Sequence, residues 1–129
     1  MFLLSFDEKE IEKLAEQIKS CKTIMTALGD ENRQHLILEM MKMRQYDGVQ
    51  VGTIAKQSHL SRPAVSHHLQ ILKNVGILDM RREGTKNYYF FDRNLKAVNQ
   101  LIVVLNHAKE IMEEISDQTK DERSCQEID

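Results

Sequence analysis

Residues 59–74, His-Leu-Ser-Arg-Pro-Ala-Val-Ser-His-His-Leu-Gln-Ile-Leu-Lys-Asn, constrain the fold of this chain more than any other stretch. Ser61 is a favourable N-cap, and Pro63 suits the first helical turn, where a missing N–H costs nothing and φ is already helical. Three apolar residues then recur at i, i+4 and i+7, the spacing of one buried helical face. They are Val65, Leu69 and Leu72. The stretch predicts a short amphipathic helix that begins at about Arg62 and ends before Gly76.

The opposite face of this predicted helix carries no acidic residue and is rich in short hydrogen-bonding groups near its N-terminal end. That is the end which a helix-turn-helix protein inserts into the major groove of DNA. The polar side chains that point away from the apolar face are Arg62, Ser66, His67, Gln70 and Lys73. This face is therefore predicted to contact DNA.

The charge distribution agrees with such a role, although the formal net charge of −2 does not suggest it. Residues 53–93 carry seven Lys and Arg against three Asp and Glu, whereas residues 94–129 carry four against eight. A local positive field around residues 59–74 is compatible with a nearly neutral total.

The segments beside this helix complete a helix-turn-helix and a hairpin. Residues 51–57 predict a short helix with Ile54 and Ala55 inward, so that residues 51–74 form the helix-turn-helix. Two strand-like runs, 77–82 and 86–91, flank Gly84, which can adopt the positive φ of a tight turn. Residues 77–92 are thus predicted to form a β-hairpin, called a wing in such proteins.

The chain before the helix-turn-helix predicts two helices. Asp7 and Glu10 resemble a capping box for a helix over residues 7–28, and Asp30 can cap a second helix that ends near Arg44. The inner face of this second helix is expected to consist of Leu36, Ile37, Met40 and Met41. Residues 45–50 are expected to form a turn.

The first and last helices show the same apolar spacing of alternating threes and fours, a narrow seam like that of a coiled coil. The seam residues of the helix over 7–28 are Ile11, Leu14, Ile18, Cys21, Met25 and Leu28; those of the helix over 94–116 are Val98, Leu101, Leu105, Ala108, Met112 and Ile115. Because one small domain does not easily bury both seams, these helices are predicted to dimerise across a two-fold axis. Residues 1–116 are expected to be one domain, and the polar residues 117–129 a mobile tail.

No stretch matches a catalytic motif, so neither an enzymatic activity nor a cofactor is expected. The apolar start, Met1–Phe6, is too short and lacks the basic leader of a signal peptide. Two cysteines 104 positions apart form neither a disulfide framework nor a CxxC zinc pattern. A cytoplasmic location without membrane attachment is therefore expected.

Three motifs in this order resemble the ArsR/SmtB family of bacterial winged helix-turn-helix repressors. They are the stretch 27–33, Ala-Leu-Gly-Asp-Glu-Asn-Arg; the stretch 64–69, Ala-Val-Ser-His-His-Leu; and the run from Gly76-Ile77-Leu78 through Arg82-Glu83-Gly84 to Tyr88-Tyr89. The resemblance implies a mainly α-helical winged helix-turn-helix with a small β-hairpin. It also implies a homodimer that binds an imperfect inverted repeat in double-stranded DNA and represses transcription until an effector, which the sequence does not name, releases it.

Carried over from the family, the residues that face base edges are Arg62, Pro63, Ser66 and His67. Arg62 and Pro63 stand where Gln and Ser are usual, and Arg62 suits either a bidentate contact to guanine or a phosphate contact. His67 and His68 have a simpler interpretation as surface residues; we assign DNA contact to His67 and packing against the preceding helix to His68. In the wing, Arg81, Arg82 and Lys86 suit phosphate or minor-groove contacts, although basic residues also protect hairpin edges from aggregation.

The metal sites known in the family are not retained in full. The stretch 47–52, where some members carry a thiol pair, has no cysteine, and the last helix keeps only His107 and Glu110 of a four-ligand set whose first half falls on Asn94 and Lys96. An ammonium at position 96 removes a donor and repels a cation, so we expect no metal there, with a metal-relieved sensor using His107 and Glu110 as the alternative.

Two further alternatives follow from the sequence. A redox-relieved sensor would need Cys125 of the tail to reach Cys21, which the apolar seam marks as a buried and inert thiol. A protein-interaction module with weak DNA binding would instead use the acidic terminal helices to hold a partner.

Overall fold

The computed structural model describes residues 8–128 of the chain, with side chains described for residues 8–117. In chain order the elements are α1 (Glu8–Ser20), α2 (Lys22–Leu28), α3 (Glu31–Met43), β1 (Val49–Gln50), α4 (Val51–Ser58), α5 (Arg62–Asn74), β2 (Leu78–Glu83), β3 (Lys86–Phe91) and α6 (Lys96–Ile128). The predicted class, mainly helical with a small antiparallel sheet arranged as a winged helix-turn-helix, is confirmed.

Two compact units divide the described residues. One, here called the winged unit, is Cys21–Asn99; the other, the terminal unit, contains α1 and α6 from Gln100 onward. The domain bounds expected from the sequence, residues 1–116 followed by a tail, stay a prediction. No helix in the described part of the chain is both long and apolar enough to cross a membrane.

The core of the winged unit lies where α3, α4, α5 and β2 meet. Its fully buried aliphatic residues are Leu36, Ile54, Val65, Leu69, Leu72 and Leu78. Asp30 caps α3 as predicted, since its Oδ1 accepts a hydrogen bond of 3.0 Å from the backbone N–H of Arg33. Met41 was expected inside but is 55 % exposed, because the buried face of α3 follows Leu36 and Met40 at i and i+4 and turns away from the next position.

The sheet has three antiparallel strands in the order β1-β3-β2. The hairpin pairs Leu78 with Phe91 at its base and Glu83 with Lys86 at its tip, and Gly84 has the predicted positive φ, +61°. The expected turn over residues 45–50 is wrong in its last two residues, because Val49 and Gln50 pair with Tyr89 and Tyr88 as strand β1. A two-residue strand is too short to show an alternating pattern.

The first predicted helix is interrupted. α1 ends at Ser20, whose Oγ donates to the carbonyl oxygen of Gln17, and α2 starts after Cys21. Serine hydroxyls compete for backbone carbonyls near helix ends. The apolar spacing continues unchanged across this break, so the periodicity alone predicts one continuous helix. Asp7 of the expected capping box lies outside the described residues.

The last helix is both shorter at its start and longer at its end than expected. It begins at Lys96, whose N–H donates to Asp92 Oδ2 at 3.1 Å, and it continues through Ile128. The predicted end of the helix at Ser116, where the apolar pattern stops, is therefore wrong. Lys, Arg, Glu and Gln are good helix formers without any buried face, and apolar periodicity reports burial rather than helicity.

Candidate nucleic-acid interface

The two helices of the predicted helix-turn-helix are joined by a tight turn. α4 ends at Ser58, His59 adopts the left-handed conformation with φ +61°, and Ser61 Oγ accepts a hydrogen bond from the N–H of Ala64. His35 of α3 fixes the end of α4, because its Nε2 lies 2.9 Å from the carbonyl oxygen of Ser58. The predicted N-cap, start and end of α5 are confirmed.

The buried face of α5 is also confirmed, since Val65, Leu69 and Leu72 are fully buried. Of the side chains predicted to contact DNA from this helix, Lys73 is half-buried and the others are exposed. The exposed ones are Arg62, Pro63, Ser66, His67 and Gln70. The structure thus brings these residues to one helix, on the outside of a packed core.

Two members of this set make contacts of their own. Gln70 Nε2 donates to Asn74 Oδ1 at 3.1 Å along the helix surface. The Arg62 guanidinium reaches back to the first turn of α4, where its Nη1 is 3.6 Å from the position that a Cβ on Gly52 would occupy. This side chain therefore lies close to the start of α4.

The three wing cations have different surroundings. Arg81 stacks on Tyr88, with its Cζ 4.5 Å from the ring centroid, pairs with Glu83 at 3.1 Å, and donates from Nη1 to the carbonyl oxygen of Asp47. Arg82 donates from Nε to the carbonyl oxygen of Gly84, and Lys86 is exposed at the tip. Arg81 is thus held against the turn before β1, whereas Arg82 and Lys86 lie at the hairpin end.

His68 contacts α3, because its Nδ1 lies 3.3 Å from Nη1 of Arg33. Its expected packing against the preceding helix stays a prediction. Two tertiary arginine sites also went unrecognised in the sequence: Arg33, which is buried, and Arg93, whose guanidinium lies between the rings of Tyr46 and Phe90. The Arg at the end of the stretch 27–33 was a possible signal for the first site, and none marked the second.

Three pKa shifts occur in the winged unit, at Asp30, Glu39 and Tyr89; the pKa of the Glu39 carboxyl is lowered by its hydrogen bond with Lys42. The backbone N–H of Arg33 lowers the pKa of the Asp30 carboxyl, and the charge of the Arg33 guanidinium adds to this effect. Burial raises the pKa of the Tyr89 hydroxyl. The first shift marks Asp30 as a carboxylate whose charged form stabilises the start of α3.

The candidate residues for metal or redox sensing are on neither α5 nor the wing. The His107 ring nitrogens are 2.6 Å from Gln17 Oε1 and 3.0 Å from Glu10 Oε2, while Glu110 is exposed on α6. Within residues 8–117, no group of three or more His, Cys, Asp or Glu side chains is arranged to hold a metal ion. Cys21 is a buried free thiol, and the side chain of Cys125 lies outside the described set.

Comparison with known proteins gives concordant matches. Residues 37–79 match the family described as bacterial regulatory protein, arsR family. An uncharacterized HTH-type transcriptional regulator of Methanocaldococcus jannaschii is 34 % identical over 89 residues, covering 67 % of this chain and 96 % of that protein. The cadmium resistance transcriptional regulatory protein CadC of Listeria innocua is 32 % identical over 85 residues, covering 66 % of this chain and 68 % of that protein.

A solved structure also matches. It is the homodimeric winged helix-turn-helix DNA-binding domain of a possible ArsR-family regulator from Mycobacterium bovis, 25 % identical, with a TM-score of 0.51. The match covers 84 % of this chain and 92 % of that one.

Proposed function

The chain belongs to the ArsR family of bacterial transcriptional regulators, with a winged helix-turn-helix DNA-binding domain, and from this membership we propose that it is a homodimeric repressor of an inverted-repeat operator. Each α5 enters a major groove, and the wing holds the flanking backbone. The observation that carries this proposal is the exposed face of α5. Ser66 and His67 lie there, outside a core that buries Val65, Leu69 and Leu72 completely.

Within α5 we propose a division of roles. Ser66 and His67 read base edges together with Pro63, whose ring makes an apolar contact, and Gln70 and Lys73 extend the contact along the helix. Arg62 binds a phosphate, because its guanidinium lies over the first turn of α4. Phosphate contacts fix the position of a protein on the duplex and base contacts set its sequence preference.

In the wing we propose that Arg82 and Lys86 contact phosphates or the minor groove. Both are exposed at the hairpin tip. Arg81 contributes through its charge, but its hydrogen bonds to Asp47 and Glu83 give it a first role in holding the wing. The wing thus carries three cations that can contribute to attraction of the DNA backbone.

Dimerisation is proposed through the helices of residues 7–28 and 94–116. Large apolar residues are exposed on both: Ile11, Ile18, Leu105, Met112 and Ile115 are 44–64 % exposed. A repeated apolar seam that is open to solvent marks a surface for a partner helix. The homodimeric relative from Mycobacterium bovis supports assembly of the same kind.

Relief of repression by a metal is a second candidate, since the relative from Listeria innocua is named for cadmium resistance. We propose that this chain does not use the usual family sites. In the described structure His107 contacts Gln17 and Glu10 of α1. Stoichiometric zinc bound by the wild-type protein and lost in His107→Ala would overturn this part of the proposal.

The test of DNA binding is a fluorescence-anisotropy titration with the protein's own upstream promoter DNA and with random DNA, each at two salt concentrations. His67→Ala is expected to cost ~1–3 kcal/mol on the promoter and much less on random DNA. Arg82→Ala is expected to weaken both and to reduce the salt slope by about 1. Lys109→Ala, which removes one positive charge from α6, serves as the control and should leave both affinities unchanged.

The absence of any preference for promoter DNA by the wild-type protein would contradict the repressor and favour a protein-interaction module. Equal losses on both DNAs for His67→Ala would remove only the base-reading role of that residue.

A further inference from the structure

Arg33 is the one buried charged residue among the described side chains, with 9 % of its surface exposed. Its Nε donates to the carbonyl oxygen of Ala27 at 2.8 Å, and its Nη2 to that of Thr26 at 3.4 Å. Both carbonyls belong to the last turn of α2, and that of Thr26 also accepts a hydrogen bond of 3.2 Å from the backbone N–H of Gly29. The guanidinium is therefore fixed in place by the end of α2.

The remaining arm of this guanidinium points at α5. Nη1 lies 3.3 Å from Nδ1 of His68 and 3.9 Å from the Asp30 carboxylate. Because arginine has only donors and keeps its proton, Nδ1 of His68 must be the acceptor and the ring hydrogen must sit on Nε2. The contact selects one tautomer and one orientation of the ring.

The hydrogen bond between Arg33 and His68 is directional, whereas the apolar contacts that bury α5 are not. Val65, Leu69 and Leu72 hold the helix by apolar burial, which is not directional. His68 lies between buried Leu69 and exposed His67, and the two imidazole rings are 5.6 Å apart. A directional contact at residue 68 therefore fixes the rotation of α5 next to the side chains proposed to read bases.

We propose that Arg33 and His68 are a positioning pair, in which the guanidinium held by α2 sets the rotation of α5 and so places Ser66 and His67 on the base edges. The inference rests on the proposed function and goes beyond it, since neither residue touches DNA. It makes the last turn of α2 part of the sequence specificity of the protein.

Two substitutions separate this role from simple packing. His68→Asn places an amide oxygen near the position of Nδ1 and keeps the acceptor for Arg33. His68→Gln is closer to histidine in volume but places its oxygen near the position of Nε2. A packing role predicts that Gln is the better replacement, whereas the positioning role predicts that Asn is.

The experiment begins with operator DNA selected from random duplexes by the wild-type protein. Affinities for that operator and for random DNA are then measured for the wild type, His68→Asn, His68→Gln and Arg33→Lys, with melting curves to confirm folding. His68→Asn should keep operator affinity within about threefold, and His68→Gln should lose about tenfold on the operator and little on random DNA. Arg33→Lys should resemble His68→Gln, because a lysine cannot span Ala27 and His68 together.

Nitrogen-15 NMR of the free wild-type protein at about pH 8 tests the pair without DNA, at a pH where a free imidazole is neutral. An Nε2–H tautomer at His68 is expected, and an Nδ1–H tautomer would overturn the proposal. So would equal operator affinities for His68→Asn and His68→Gln, or better binding by Gln. Failure of the selection to enrich any sequence would instead overturn the proposed function and with it the positioning role, while an Nε2–H tautomer would still establish the pair.

Discussion

The Arg81 guanidinium lies 4.5 Å from the centroid of the Tyr88 ring and also donates to the carbonyl oxygen of Asp47. Tyr88 is the partner of Gln50 in β1, and Asp47 lies in the turn that precedes this strand. One side chain of the hairpin thus joins the wing to the turn after α3. The wing cannot move away from the helix-turn-helix without breaking these contacts.

Arg81→Ala should therefore destabilise the protein by about 2–4 kcal/mol, the sum expected from a partly exposed cation–π contact and one charged hydrogen bond. Arg81→Lys should restore little, since an ammonium does not stack and donate in the same geometry. Urea denaturation measures both. Lys86→Ala, at an exposed cation of the same hairpin, is the control; an equal loss in that variant would contradict a specific role for Arg81.

Gly48 is expected to be far less tolerant of substitution than Gly84. Gly48 has φ +109°, and an added Cβ would lie 3.1 Å from Cβ of Tyr88 and 3.2 Å from the carbonyl oxygen of Tyr89. At Gly84, φ is +61° and no heavy atom lies within 4 Å of the added Cβ. Gly48→Ala should cost about 3 kcal/mol and Gly84→Ala about 1 kcal/mol, measured by chemical denaturation. Similar losses at both positions would contradict the added cost expected at Gly48 from its larger φ and its close contacts.

Local signals in the sequence predicted the elements that local chemistry determines. Ser61, Pro63 and the apolar spacing gave both the bounds and the buried face of α5, and Gly84 located the hairpin turn. The contacts of Arg81 with Asp47 and of Arg33 with His68 join residues 34 and 35 positions apart. No periodicity or capping rule reports such pairs. The sequence therefore identified the basic residues but did not predict which of them the fold holds in place.

Acid should weaken the protein through Asp30. Its pKa is lowered in the folded state by the N–H and the charge of Arg33, so its carboxylate stabilises the fold at pH values above the ordinary pKa of an aspartic acid. That contribution is lost as the pH falls through the lowered, folded-state value. Asp30→Asn keeps an N-cap acceptor but cannot titrate, so its melting temperature should lie below that of the wild type at about pH 7 and approach it near about pH 3. A difference that stays constant over this range would contradict the role of the Asp30 charge.

The exposed apolar stripe of α6 provides the last prediction. Leu105 and Met112 are 62 % and 64 % exposed, and the proposed dimer would bury them. Leu105→Glu would then place a carboxylate from each subunit in an apolar interface, which should raise the dimer dissociation constant about 100-fold or more. Sedimentation over a range of protein concentrations measures this constant.

Val103 supplies a matched control on the same helix, since it is 57 % exposed and points about 160° away from Leu105 around the helix axis. Val103→Glu introduces the same charge and should leave dimerisation intact. Loss of the dimer in Leu105→Glu alone would assign the interface to the stripe. Dissociation of both variants would instead mean that the partner subunit contacts most of the circumference of α6. Dissociation of neither would mean that the exposed seam of α6 is not the dimer interface.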